Sequence, residues 1–346
     1  MQNPPLVSPA TQATAQAFRR ALGDALSAGG LLLTPDQQAQ LTPYIMERGR
    51  RELDTVTREL GPAAWAACRA ALALSPDDSD SAGVLAFGAT ITEFMNGPFH
   101  HLDVDAARIS GLGARLNLIV ALFDRMVDKT PAKAAFLPAW KLRVLLSPIG
   151  RRFLLALPIN QRPDASALTT LMATYLDGLE QLARRQRRGR SRVTQVTKTL
   201  IQGMYRAEMA TLPGHSHDRI EATLMRKSAL PFMVMGAPGA LLAEGAGVLE
   251  VDARLRWLEQ VGEFWGLIDD AADLEGDRAH NQPNALWQRL EMAATTAPAM
   301  GSLANAIAAQ GVTVFESWRV RTDARDDQAL LACLFKYWIA AWLEPT

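Results

Sequence analysis

Apolar residues recur along this chain at spacings of three and four, and no stretch alternates in the manner of a half-buried strand. Phe18, Leu22 and Leu26 form one helical stripe. Leu41 and Ile45 form another, with Glu47, Arg50 and Arg51 on the opposite side. The turn cluster at residues 75–81 predicts a helix start capped by Ser81. Long helices are expected at about 104–128, 164–188, 191–212, 217–248 (bent at Pro231 or Pro238), 251–280 and 325–343. Breaks are expected at Pro131, Pro158, Pro163, Pro213 and Pro283. The fold class read from this pattern is all-α. Residues 1–15 read as a disordered lead-in, 16–80 as helices packed on the core, and 81–346 as the main helical domain.

Composition narrows the classes. The chain has 346 residues, 49% of them hydrophobic, with 36 Lys+Arg balancing 36 Asp+Glu. Such a chain buries a core rather than staying disordered. It has no basic excess with which to bind nucleic acid. Two cysteines, Cys68 and Cys333, make neither a disulfide framework nor a zinc site, which points to a reducing cytoplasm. No secretory signal is read at the start. The longest apolar stretch, Ser228–Leu242, is shorter than a spanning helix needs and holds two prolines, so no membrane span is expected.

Charge is segregated locally. Six arginines fall in residues 184–192, a run that reads as a solvated helix end and loop. His100, His101, His215 and His217 have no partner set for zinc. Two acidic segments carry more. In residues 116–128 an almost wholly apolar helix bears Asp124 and Asp128 one turn apart, with Asn117 on the same face. In residues 262–277, Asp269, Asp273 and Asp277 step by four, with Asp270 beside them; six acids fall between 263 and 277. Gly262, Trp265 and Gly266 share the stripe's face. Two glycines inside a helix cost about 1 kcal/mol each relative to Ala, which close approach of a neighbour or a ligand would justify. The face therefore reads as an open wall with carboxylates at its mouth. Carboxylates are hard ligands, and Mg²⁺ binds through one or two of them plus substrate phosphates.

With these motifs in order, the chain resembles the class I isoprenoid synthases, the helical family of polyprenyl synthetases, squalene/phytoene synthases and terpene cyclases. Asp124-Arg-Met-Val-Asp128 resembles their aspartate-rich first motif, with Arg at its second position. Asp269-Asp-Ala-Ala-Asp273 resembles the second motif of the chain elongases, and the 269/273/277 spacing that of the cyclase metal triad. Arg226-Lys-Ser-Ala-Leu230 with Gly236-Ala237 is similar to the family's KTxxL…GA helix, and Lys336-Tyr337 to a cyclase Arg-Tyr pair.

The resemblance implies a large helical bundle with a central apolar cavity. It implies Mg²⁺, three ions by family habit, held by Asp124 and Asp128 on one side and by Asp269, Asp270, Asp273 and Asp277 on the other. Arg226, Lys227, Lys336 and Tyr337 would contact the diphosphate of a prenyl diphosphate substrate. Asn117, Phe232, Gly262, Trp265 and Gly266 would line the cavity, with Phe94 and Trp338 as weaker candidates. A homodimer follows from family habit alone.

The segment after Asp128 lacks the Arg-Arg pair with which elongases bind a second diphosphate. That departure favours a terpene synthase that ionises one substrate and cyclises or eliminates. A prenyltransferase, elongating or head-to-head, is the alternative, and a non-catalytic helical partner subunit a third.

Overall fold

A computed structural model describes residues 8–344, apart from 76, 100–102, 130–138, 157–162, 186–189, 212–219, 244–247, 281, 293–295 and 324. The described residues form fifteen helices and no strand. In chain order these are α1 (Pro9–Ala28), α2 (Pro35–Leu60), α3 (Pro62–Leu72), α4 (Ser79–Asn96), α5 (Asp103–Lys129), α6 (Ala139–Leu145), α7 (Pro148–Ala156) and α8 (Pro163–Arg185), followed by α9 (Arg190–Ala210), α10 (Ile220–Leu242), α11 (Val248–Ala272), α12 (Leu274–His280), α13 (Ala285–Met292), α14 (Ala297–Arg321) and α15 (Gln328–Leu343). The all-α expectation is met. The chain sorts into two compact units, one of Met1–Ala39, Met204–Phe232 and Leu255–Thr346, the other of Gln40–Gly203 and Met233–Arg254.

The first unit begins earlier than the lead-in expectation allowed. Ser8 caps α1, its hydroxyl accepting from the Thr11 amide at 3.1 Å, and Pro9 takes the first helical position. Residues 9–15 are therefore helix. Phe18, Leu22 and Leu26 are fully buried, as their spacing requires. Helix α14 is not anticipated by the sequence reading. Its buried seam of Ala304, Ile307, Ala308, Gly311, Val314, Phe315 and Trp318 is partly small residues, which blunt the periodic signal.

The second unit is centred on α4 and α5. A Cβ on Gly88 would lie 2.6 Å from the Gly113 carbonyl oxygen, so glycine is what lets these two helices meet backbone to backbone. The span Asp105–Met126 is apolar and long enough to cross a membrane. Here Ile109, Leu112, Leu116, Leu118, Ile119 and Leu122 are buried in the unit's core. A polar network ties α2 to both helices: Arg48 pairs with Glu93 at 3.0 Å and donates to Ser110 Oγ at 2.7 Å. Helix α4 starts at Ser79 after Asp78, which is left-handed at φ 62°. Ser81, expected as the cap, is instead buried inside the first turns. Helix α10 continues through both Pro231 and Pro238.

Candidate active site

In α11, residues 262, 265, 266 and 269 lie close to one line along the helix, and 273 follows one turn beyond. The glycines mark a helix contact. A Cβ on Gly262 would sit 2.6 Å from Ala229 Cα, and one on Gly266 2.3 Å from Ser228 Cβ. The neighbour is thus α10, at its Arg226–Leu230 segment. This corrects the open-wall expectation: at Gly262 and Gly266 the face is filled by protein. Lys227 of the same segment pairs with the buried Glu208 at 3.1 Å, and Arg226 is exposed.

Trp265, buried between the glycines, is the hub of an aromatic cluster. Phe232 stacks parallel to it at 6.1 Å between centroids. Phe335 and Trp342 of α15 meet it edge-on at 5.7 and 5.5 Å. Phe264 packs at 6.2 Å from Trp265 and at 5.9 Å from Phe335. Phe315 extends the cluster, and Lys336 Nζ lies 4.9 Å over its ring. Tyr337 packs edge-on against Trp338 at 5.2 Å.

The cluster runs directly into the acids. Trp342 Nε1 donates to Asp269 Oδ1 at 3.0 Å, so one ring touches both Trp265 and the first carboxylate. Asp269 and Asp273 are exposed. The helix expected to run through 280 breaks at Asp273, between α11 and α12. The stripe survives the break because the Asp273 amide donates to the Asp269 carbonyl (3.0 Å) and the Asp277 amide to the Asp273 carbonyl (2.8 Å). Arg19 of α1 stabilises the break: it donates to the Ala272 carbonyl at 3.0 Å and pairs with Glu275.

Asp270 and Asp277 face a different task. The Ala285 amide donates to Asp270 Oδ2 at 2.9 Å. Asn284 Nδ2 donates both to the Asp270 carbonyl at 2.8 Å and to Asp277 Oδ2 at 2.9 Å. Asn284 also caps α13, its Oδ1 accepting from Trp287 N at 3.0 Å. Burial, reinforced by the charge of Asp269, pushes the Asp270 carboxyl up to about 7. These two acids hold the start of α13.

Among the described residues, no group of three or more His, Cys, Asp or Glu side chains is gathered closely enough to hold a metal. What the stripe offers is Asp269 and Asp273, two exposed carboxylates one turn apart. This fits a Mg²⁺ ion that arrives with phosphate ligands of its own, and does not form a protein cage.

In the other unit, Asp124 is partly buried on α5. Asn117 Nδ2 donates to the Val84 carbonyl at 2.8 Å, joining α5 to α4, and Phe94 is fully buried. The side chain of Asp128, the four histidines at 100, 101, 215 and 217 and most of the arginine run lie outside the described residues. Sequence reasoning missed Trp342, Asn284 and Arg19. Asn284, between Pro283 and an apolar run, was readable as a cap. Arg19 carries no signal of its role.

No family model and no curated protein matches the sequence. Among solved structures, the chain is similar to a geranyltransferase from Legionella pneumophila. The likeness has a TM-score of 0.51 at 11% identity and covers 86% of this chain and 97% of that one. The chain shares the all-α, isoprenoid-synthase-like fold of that enzyme.

Proposed function

We propose that the protein is an enzyme of isoprenoid diphosphate chemistry that ionises an allylic prenyl diphosphate with Mg²⁺ recruited at Asp269 and Asp273. The observation that carries this reading is the continuity from the Trp265 cluster through Trp342 to Asp269. It sets a packed aromatic cluster beside exposed carboxylates, apolar and anion-binding chemistry side by side, as a substrate with an apolar chain and an anionic head requires. Bound Mg²⁺ would neutralise charge developing on the departing diphosphate. Asp269 and Asp273 would orient the anionic end by holding its counter-ions, and Trp342 fixes Asp269 by its hydrogen bond. Aromatic faces stabilise an allylic cation by their quadrupole. Lys336 is the cation that α15 carries for the diphosphate, and Lys227 would have to leave Glu208 to serve it. The resemblance assigns Asp124 and Asp128 metal roles as well.

Prenyl transfer is the reaction type favoured by the fold shared with a geranyltransferase. The terpene synthase reading rests on a separate observation, the missing Arg-Arg pair after Asp128. Incubation with Mg²⁺ and C10 to C25 allylic diphosphates, with and without isopentenyl diphosphate, divides them. Longer diphosphates formed only with isopentenyl diphosphate support elongation, and a head-to-head product without it supports that branch. Hydrocarbon or alcohol formed without it supports the synthase. Absence of turnover with every substrate leaves the non-catalytic partner and removes both enzyme readings.

A further inference from the structure

The described surface has six large exposed hydrophobic side chains, and three of them fall within seven residues: Ile149, Phe153 and Leu155, at 82%, 59% and 49% exposure. All three are on α7, which is packed inside out. Its buried side chains are Arg151 and Leu154. Arg151 is 1% exposed, held by Asp177 at 2.8 Å and Glu180 at 2.9 Å, and donates to the Leu145 carbonyl at 3.1 Å. Ile149, Arg152 and Phe153, at spacings of three and four, share the outward face, with Leu155 on its flank beside Arg152. A helix anchored through its arginine, with Ile and Phe turned to solvent, needs an apolar contact that the described residues do not provide.

Charge says what that contact is. Arg152, on α7 with the apolar side chains, and Arg143 on the preceding α6 are exposed. The sequence from 129 to 163 contains seven Lys and Arg and no Asp or Glu; Lys141 and Arg151 are buried, and Arg143 and Arg152 are the exposed ones among the described side chains. A purely apolar partner would not call for this bias. The headgroups of an anionic bilayer would, because basic residues attract them while apolar side chains enter the acyl boundary.

We infer that the hairpin of α6 and α7 docks on the surface of an anionic lipid bilayer through Ile149, Phe153 and Leu155, with Arg143 and Arg152 at headgroup level. This is surface attachment, independent of the proposed catalytic site, and it brings the protein to where long prenyl chains partition.

The test is co-sedimentation of the full chain with vesicles of phosphatidylcholine, with and without phosphatidylglycerol. Binding is expected only with phosphatidylglycerol and should fall steeply as salt shortens the range of the field. Arg143→Gln and Arg152→Gln should each weaken it roughly fivefold. The double variant Ile149→Ser/Phe153→Ser should weaken it by more than about tenfold. Circular dichroism should match the parent in each case, since all four side chains are exposed. Were the double variant to lose its fold, the two arginine variants decide alone. Three results would overturn the inference: no binding to either vesicle, salt-insensitive binding to both, or a dimer in sedimentation velocity that the serine variants dissolve.

Discussion

A rotation of about 100° around α11 separates Asp269 from Asp270, and the two carboxylates meet opposite surroundings. Asp269 is exposed, hydrogen-bonded by Trp342, and starts a stripe that continues to Asp273. Asp270 turns toward α13, accepts the Ala285 amide and has its carboxyl pushed up by burial. The difference teaches that a cluster of acids in sequence is not one site. One face of the segment is available to a ligand and the other joins two helices. The largest expected effect tests this division directly. Asp269→Ala and Asp273→Ala should each reduce turnover of a prenyl diphosphate by at least about a hundredfold, about 2.7 kcal/mol of transition-state stabilisation. Their melting temperatures should stay within about 2 °C of the parent. Asp270→Ala should do the reverse, lowering stability while most activity remains. Turnover that survives at Asp273 and disappears at Asp270 would place the chemistry on the wrong face.

A second comparison on the same segment concerns its glycines. Gly262 meets the α10 backbone, whereas a Cβ on Gly276 in α12 would meet nothing within 4 Å. Gly262→Ala should therefore cost about 2 kcal/mol, because Ala229 presents backbone that cannot step aside. Gly276→Ala should be neutral or stabilise by roughly 0.5 kcal/mol through its helix propensity. Urea denaturation of the two variants reads both signs. Equal effects would mean that α10 and α11 do not pack through Gly262.

These contrasts also show which features a sequence displays. Helices α5, α8, α9 and α15 were legible within a few residues, since long apolar periodicity states its own limits. The acid stripe was legible, and so was the offset of Asp270 from it, because both follow from helix geometry. The purpose of the glycines was legible only as a choice between a neighbour and a ligand; the residue that decides, Ala229, lies thirty-odd positions away (roughly nine helical turns). The break at Asp273 was not legible. No proline or glycine stands there, and the carbonyls it frees are taken by distant groups, Ala272 by Arg19 and Leu274 by the Trp287 indole. The inverted packing of α7 was hidden for the same reason: it follows from Asp177 and Glu180, distant in sequence, taking Arg151 into the interior.

A slope of stability with pH isolates Asp270 from its neighbour. The Asp270 carboxyl titrates at about 7 in the folded chain against an ordinary 3.8. Below that ordinary value it is protonated whether the chain is folded or not, and its contribution to stability is then fully present. As pH rises, the unfolded chain releases the proton first, so folding must keep a proton that water would take. Stability from this group is lost progressively from about pH 4 and is gone once the pH has passed through about 7. Asp270→Asn keeps an oxygen for the Ala285 amide and removes the titration. Measured without divalent metal, the parent minus the variant should therefore decline across that window and be flat above it. A difference that stays flat across the whole window would overturn the reading that burial against α13 holds the Asp270 carboxyl up.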